Sequence, residues 1–142
     1  MRKAARRASR ADVDDLTDML AAHATVQNDP IGFRILDSRF HEKLSTIAGN
    51  AVLQRVAYGL YNLGLDIRRR ATEQPGLIAQ STADHAEIAA AIADHDPDRA
   101  AAAMIKHLAH IEQSSRQVMA SIAKREPGAR GIVEADEEGL AL

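Results

Sequence analysis

Apolar residues return every three or four positions along this chain, and nowhere do they alternate singly with polar ones as a half-buried strand requires. The opening MRKAARRAS reads as a short basic helix ending near Ser9. Ser9 or Asp12 can cap the next helix, which runs to about Ala24 with Val13, Leu16, Met19 and Leu20 on one face. Asn28-Asp29-Pro30 starts a third, with proline in the first turn where its missing N–H costs least, and Gly49 stops it after about Ala48. Asn50 can cap a fourth, carried by Leu53, Val56, Leu60, Leu63 and Ile67, before Pro75-Gly76 breaks the chain. A fifth spans about Gln80 to His95. Asp96-Pro97 opens a long sixth that ends near Lys124, ahead of Glu126-Pro127-Gly128. The pattern predicts an all-α fold, an antiparallel bundle of about five to six helices joined by connections of a few residues. Residues 1–124 form the helical domain, and 125–142 is an acidic, Gly-containing tail without periodicity, expected to be disordered.

Composition agrees. Hydrophobic residues make up 46% of the chain, much of it alanine, and aromatics only 3%; alanine is the best helix former, and sheets favour aromatic and β-branched residues. A net charge of -2 and a pI near 6.3 give no overall basic field to attract nucleic acid. The absence of cysteine removes disulfides, thiolate metal sites and thiol catalysis together. No apolar run approaches the ~18 residues of a membrane span, and the basic N-terminus lacks the apolar stretch of a secretory signal. The expectation is a cytoplasmic protein.

Four polar residues occupy positions where a core should be. The apolar stripe of the third helix is Phe33, Leu36, Phe40, Leu44 and Ile47, and Asp37 and His41 lie inside it. At i and i+4 their side chains are about 40° apart around the axis and about 6 Å apart along it, close enough to share one ion. His85 aligns with Ile88 and Ile92, and His107 with Ala100, Met104 and Ile111. Three helices therefore each direct a metal-competent group inward. Buried carboxylates and imidazoles need partners; a divalent ion would satisfy all four at once, and a hydrogen-bonded core network is the alternative. His23 and His95 also continue apolar stripes, but each is expected in the last turn of its helix, within reach of water and suited to the helix dipole. His110 lies one step off its stripe, beside Lys106 and Gln113. Those three are assigned to structure.

The segments LDSRFHEKLSTIAGNAVL, STADHAEIAAAI and DHDPDRAAAAMIKHL together resemble the FCD domain, the effector-binding C-terminal domain of FadR-type regulators of the GntR family. Asp37 with His41, Gly49-Asn50, Ser81 with His85, Asp96 with Ala100, and His107-Leu108 follow the family pattern in order, and the resemblance covers about Ala4 to Lys124. It implies a ligand-sensing, dimerising domain of a bacterial transcriptional regulator, with Asp37, His41, His85 and His107 as ligands to a divalent metal. The donor set suits Zn, Ni, Co, Mn or Fe. An octahedral ion would keep positions for a small organic acid, with Ser81 one turn before His85 and Arg68 as further contacts through hydroxyl and guanidinium. The alternative for Arg68-Arg69-Arg70 is a solvated, basic helix end. The family's winged helix-turn-helix does not fit in this chain, and MRKAARRAS resembles only the last two turns of the first effector-domain helix. DNA binding is therefore expected only through a domain the chain lacks, whether by truncation or by loss.

Three other classes compete. A metal-dependent enzyme finds no His-Glu-x-x-His here, and Glu42 and Glu87 point away from the neighbouring ligands, leaving no evident general base. A purely structural or dimerising bundle would use the four polar groups as a network. Direct DNA binding would rest on Arg2, Lys3, Arg6, Arg7 and Arg10, which suit phosphates but read no bases; these cations read more simply as the solvated side of a helix.

Overall fold

The structure, a computed structural model, describes residues 1–125, and among them the chain is helical without strands. Seven helices follow one another: α1 (Arg2–Arg7), α2 (Arg10–Thr25), α3 (Pro30–Ala48), α4 (Ala51–Leu63), α5 (Leu65–Thr72), α6 (Leu77–Ala93) and α7 (Pro97–Arg125). The tail expected beyond Arg125 lies outside the described residues.

Local chemistry sets most of the boundaries. Ser9 caps α2 in a reciprocal box with Asp12: its Oγ accepts from the Asp12 N–H while the Asp12 carboxylate accepts from the Ser9 N–H. Asp29 caps α3 by accepting from the N–H groups of Ile31 and Gly32, with Pro30 at the first helical position. Gly49 ends α3 at φ 63, the left-handed conformation glycine adopts without a Cβ clash. Asp96 caps α7 through the N–H groups of Asp98 and Arg99.

Two of the expected helices differ from the sequence expectation. The fourth expected helix is two, because the chain breaks at Gly64 between α4 and α5. Of its expected stripe, Val56 is exposed, and the side chains of Leu53, Leu60 and Leu63 lie outside the described residues. Among the described residues, α4 rests mainly on α3. The fifth expected helix begins earlier and ends sooner, at Leu77 and Ala93. Gly76 turns the chain at φ 84, which lets Ile78 enter the core two residues before the expected start. His95 consequently stands beyond the helix, itself at positive φ, where its Nδ1 pairs with the Ala5 carbonyl at 2.9 Å and ties the α6–α7 turn to α1.

α6 and α7, folded back on each other through the turn at 94–96, make the most extensive helix pair. α2 packs on α3 and α6, α5 on α7, and α1 lies across α3, α6 and α7. Alanine allows that close crossing: Ala4 and Ala5 are fully buried and Ala8 nearly so, against a core that includes Phe40, Leu44, Ile88 and Ile92. Leu16 brings α2 into the same core. The consequence for chemistry is that α3, α6 and α7 turn their apolar faces toward one interior.

Candidate metal centre

Into that interior α3 sends Asp37 and His41 from successive turns, α6 sends His85 and α7 sends His107. One ring nitrogen from each of His41, His85 and His107 lies within 4.8 Å of the other two. The ring centroids are 5.1 Å apart for His41 and His85, 5.2 Å for His41 and His107, and 4.8 Å for His85 and His107. Asp37 closes the group from the α3 side, its Oδ1 at 3.5 Å from Nε2 of His41 and 3.4 Å from Nε2 of His85. The structure thus brings together all four residues that the helical stripes singled out: three imidazoles as one cluster and the carboxylate against two of them.

Burial and charge make this cluster costly without an occupant. His85 is 0% exposed, His107 2% and Asp37 8%, and only the His41 ring, at 28%, reaches solvent. Both ring nitrogens of His85 and Nδ1 of His107 are buried without a hydrogen-bond partner. A buried polar nitrogen left unpaired carries a desolvation penalty of about 1–3 kcal/mol. Protonation does not resolve this, since neighbouring imidazolium ions so close together would repel. Burial first, then the charge of His41, pushes His85 down to about 2 and His107 down to about 4. Burial would raise Asp37, but the side-chain interaction with His41 and the charges of His41, His85 and Arg68 outweigh it and hold the carboxyl at about 2. At neutral pH the result is a carboxylate beside the neutral imidazoles of His85 and His107, the protonation states a divalent cation requires. The residues fit such an ion.

The surrounding shell is aromatic. His85 stacks on Phe40 with centroids 4.4 Å apart and meets His23 edge-on at 5.2 Å. His23 corrects an expectation. It lies in the last turn of α2 as predicted, but it is fully buried, because α3 and α6 cover that end of α2. Its Nδ1 donates to the Met19 carbonyl at 2.8 Å, its Nε2 has no partner, and burial lowers its pKa.

Asp84 went unnoticed in the sequence. It is 1% exposed, and its Oδ2 sits 2.7 Å from Nδ1 of His110 and 3.5 Å from Nδ1 of His107. The signal was present: position 84 is three after Ser81 and four before Ile88, on the buried stripe of α6. His110, assigned to structure, is the hydrogen-bonded partner of this carboxylate.

A cavity of about 440 Å³ between α3 and α4 has His41, Ser38, Ser45, Gln54, Arg55 and Tyr58 among its walls, and His41 is the cluster residue that lines it. Glu42 is another wall. Glu87, in contrast, pairs with Lys106 at 2.7 Å. Ser81 is buried, its Oγ without a hydrogen-bond partner one turn before His85. Arg68 is half-buried and close enough for its charge to act on Asp37; neither residue is among the described cavity walls. The N-terminal cations are exposed and engaged in part, Arg2 with Asp98 at 2.9 Å and Arg10 with Asp14 at 3.0 Å.

The fold and site define an all-helical domain with an inward-facing histidine cluster beside a cavity. The chain matches the FCD domain over residues 1–110, and it belongs to that family. Its family is that of the effector-binding regulatory domains of GntR-type regulators. No curated protein matches the chain. Among the described residues, no helix is long and apolar enough to cross a membrane.

Proposed function

We propose that this chain senses a small carboxylate through one divalent ion held by Asp37, His41, His85 and His107, as the effector-binding and dimerising part of a cytoplasmic, GntR-type transcriptional regulator. The observation that carries the reading is the set of unpartnered, buried nitrogens on His85 and His107, within ligand distance of His41 and beside an ionised Asp37. When bound, the ion supplies a fixed positive charge and open coordination positions for an anionic group. The chain's own residues do the rest. His41 faces both the cluster and the cavity, so it marks where an effector in the cavity meets the ion. Arg55 on the cavity wall, Arg68 near Asp37 and Ser81 beside His85 offer cationic and hydroxyl partners for the effector's remaining oxygens.

Turnover is not proposed. The buried imidazoles are fixed among aromatic rings, and Asp37 is held strongly acidic, a poor base near neutral pH. Elemental analysis of protein purified without chelator, and again after zinc or nickel loading, tests the reading: one ion per chain is expected. Less than about 0.2 equivalents in every condition, too little for a specific site whose occupancy follows mass action, would reject it.

A further inference from the structure

The carboxylate of Asp84 stands one layer behind the ligands, and its surroundings hold it there. Oδ1 accepts from Gln80 Nε2 at 3.1 Å, one turn earlier on α6, and Oδ2 meets Nδ1 of His110 at 2.7 Å. The same Oδ2 is 3.5 Å from Nδ1 of His107, a nitrogen that is buried and has no hydrogen-bond partner. A small rotation of the ring closes that gap to the ~2.7–3.2 Å of an N–H···O bond. We infer that Asp84 is a positioning residue for His107: its carboxylate takes the Nδ1–H, fixing the tautomer and leaving Nε2 as the nitrogen offered to the ion.

The inference rests on the metal reading above and adds to it a group outside the ligand set. Imidazole has one nitrogen for a metal and one for an orienting partner, and a carboxylate in the second role both aligns the ring and strengthens it as a ligand. The arrangement also explains why α6 carries Asp84 and His85 side by side. About 100° apart on the helix, one is a ligand and the other orients the ligand contributed by α7. His110, three residues after His107 and with a side chain 32% exposed, braces the carboxylate from the solvent side.

Nitrogen-15 imidazole spectra of the full chain, metal-free and zinc-loaded, read the tautomer directly. Zinc affinities of the wild type, Asp84→Ala, Asp84→Asn and His110→Ala complete the test. We expect His107 as the Nδ1–H tautomer in both states. Asp84→Ala should lose ~10–100-fold in zinc affinity, the usual effect of removing such a partner. Asp84→Asn, which keeps an acceptor oxygen, should recover part of that loss, and His110→Ala should change affinity little. An Nε2–H tautomer of His107 in the wild type, or an Asp84→Ala variant that binds zinc as tightly as the wild type, overturns the inference and leaves the metal reading intact. Wild-type protein that takes up no zinc overturns both. Should Asp84→Ala fail to fold, the wild-type tautomer decides alone.

Discussion

His85 sits where its chemistry is most constrained: no exposure, aromatic rings on two sides and neither nitrogen hydrogen-bonded. Removing a ligand there or at His107 should abolish or severely weaken metal uptake, whereas His110→Ala should retain it; zinc titration of the three alanine variants separates them. The imidazoles also set a pH dependence. His85 and His107 are pushed down to about 2 and about 4 from an ordinary 6.5, so the unfolded chain takes up protons that the folded chain refuses. Their contribution to stability is complete above pH ~6.5 and is lost as the pH falls toward ~4. Thermal melts of chelator-treated protein across that interval should show the decline, steeper once metal is loaded because protonation also expels the ion. A melting temperature independent of pH between 7 and 4, where the reference imidazole titrates, would contradict this. Asp37, His41, His85 and His107 were legible from periodicity because helical phase alone reveals a polar residue in an apolar stripe. Asp84 obeys the same phase, but a carboxylate beside a histidine ligand draws attention to the histidine. His23 also continues an apolar stripe, but its full burial was not legible, since it depends on which helices cover the end of α2.

At the scale of the element, capping chemistry determined the boundaries that held. Ser9→Ala removes one half of the Ser9–Asp12 box and should cost about 0.5–2 kcal/mol of stability, measurable by denaturant melts. Gly49→Ala should destabilise through the backbone. The φ of 63 disfavours a side chain, while the Arg7 guanidinium that an added Cβ would approach to 2.8 Å is the end of a flexible, exposed side chain and can shift aside. Asp12 serves a second helix as well. Lys43 of α3 bridges Asp12 at 2.8 Å and Asp15 at 2.6 Å. The hydrogen bond from Lys43, reinforced by Ser9, lowers the Asp12 carboxyl from 3.8 to about 2. That stabilisation is present above pH ~3.8 and disappears as the pH falls toward 2, and Lys43→Ala should flatten this acid limb of the stability profile. Elements lacking such signals were read less well. The break at Gly64 carries no cap side chain, and a glycine within a helical pattern is tolerated often enough that spacing does not reveal it.

For the molecule as a whole, the cavity and the cluster together predict a metal-dependent effector response. Carboxylates that bind the folded state alone raise its melting temperature, by about 2.7 kcal/mol of stabilisation at a hundredfold excess over Kd. Screened by thermal shift, di- and tricarboxylates, sugar acids and short fatty acids should yield at least one hit that vanishes in Asp37→Ala and after chelation. Hits indifferent to metal would place the effector away from the ion. The exposed basic residues of α1 and the start of α2, partly paired as Arg2 with Asp98 and Arg10 with Asp14, predict no sequence-selective DNA binding by residues 1–142; a gel-shift signal that survives nonspecific competitor would refute this.

The sequence by itself determined that this chain is helical, where most helices begin and end, and which four residues leave the polar faces for the interior. Those properties are local: capping, glycine conformation and the 3.6-residue period act within a few positions of one another. Only the tertiary structure decided that α3, α6 and α7 converge, so that His41, His85 and His107 come within 4.8 Å across 66 residues of chain. It likewise decided that Asp84 backs His107, and that α3 and α4 enclose a cavity at His41. Each of these depends on the rotation and separation of whole helices, which packing sets through the close crossing of alanine-rich α1 and the shared core of α2, α3 and α6, and which no single stretch of sequence encodes.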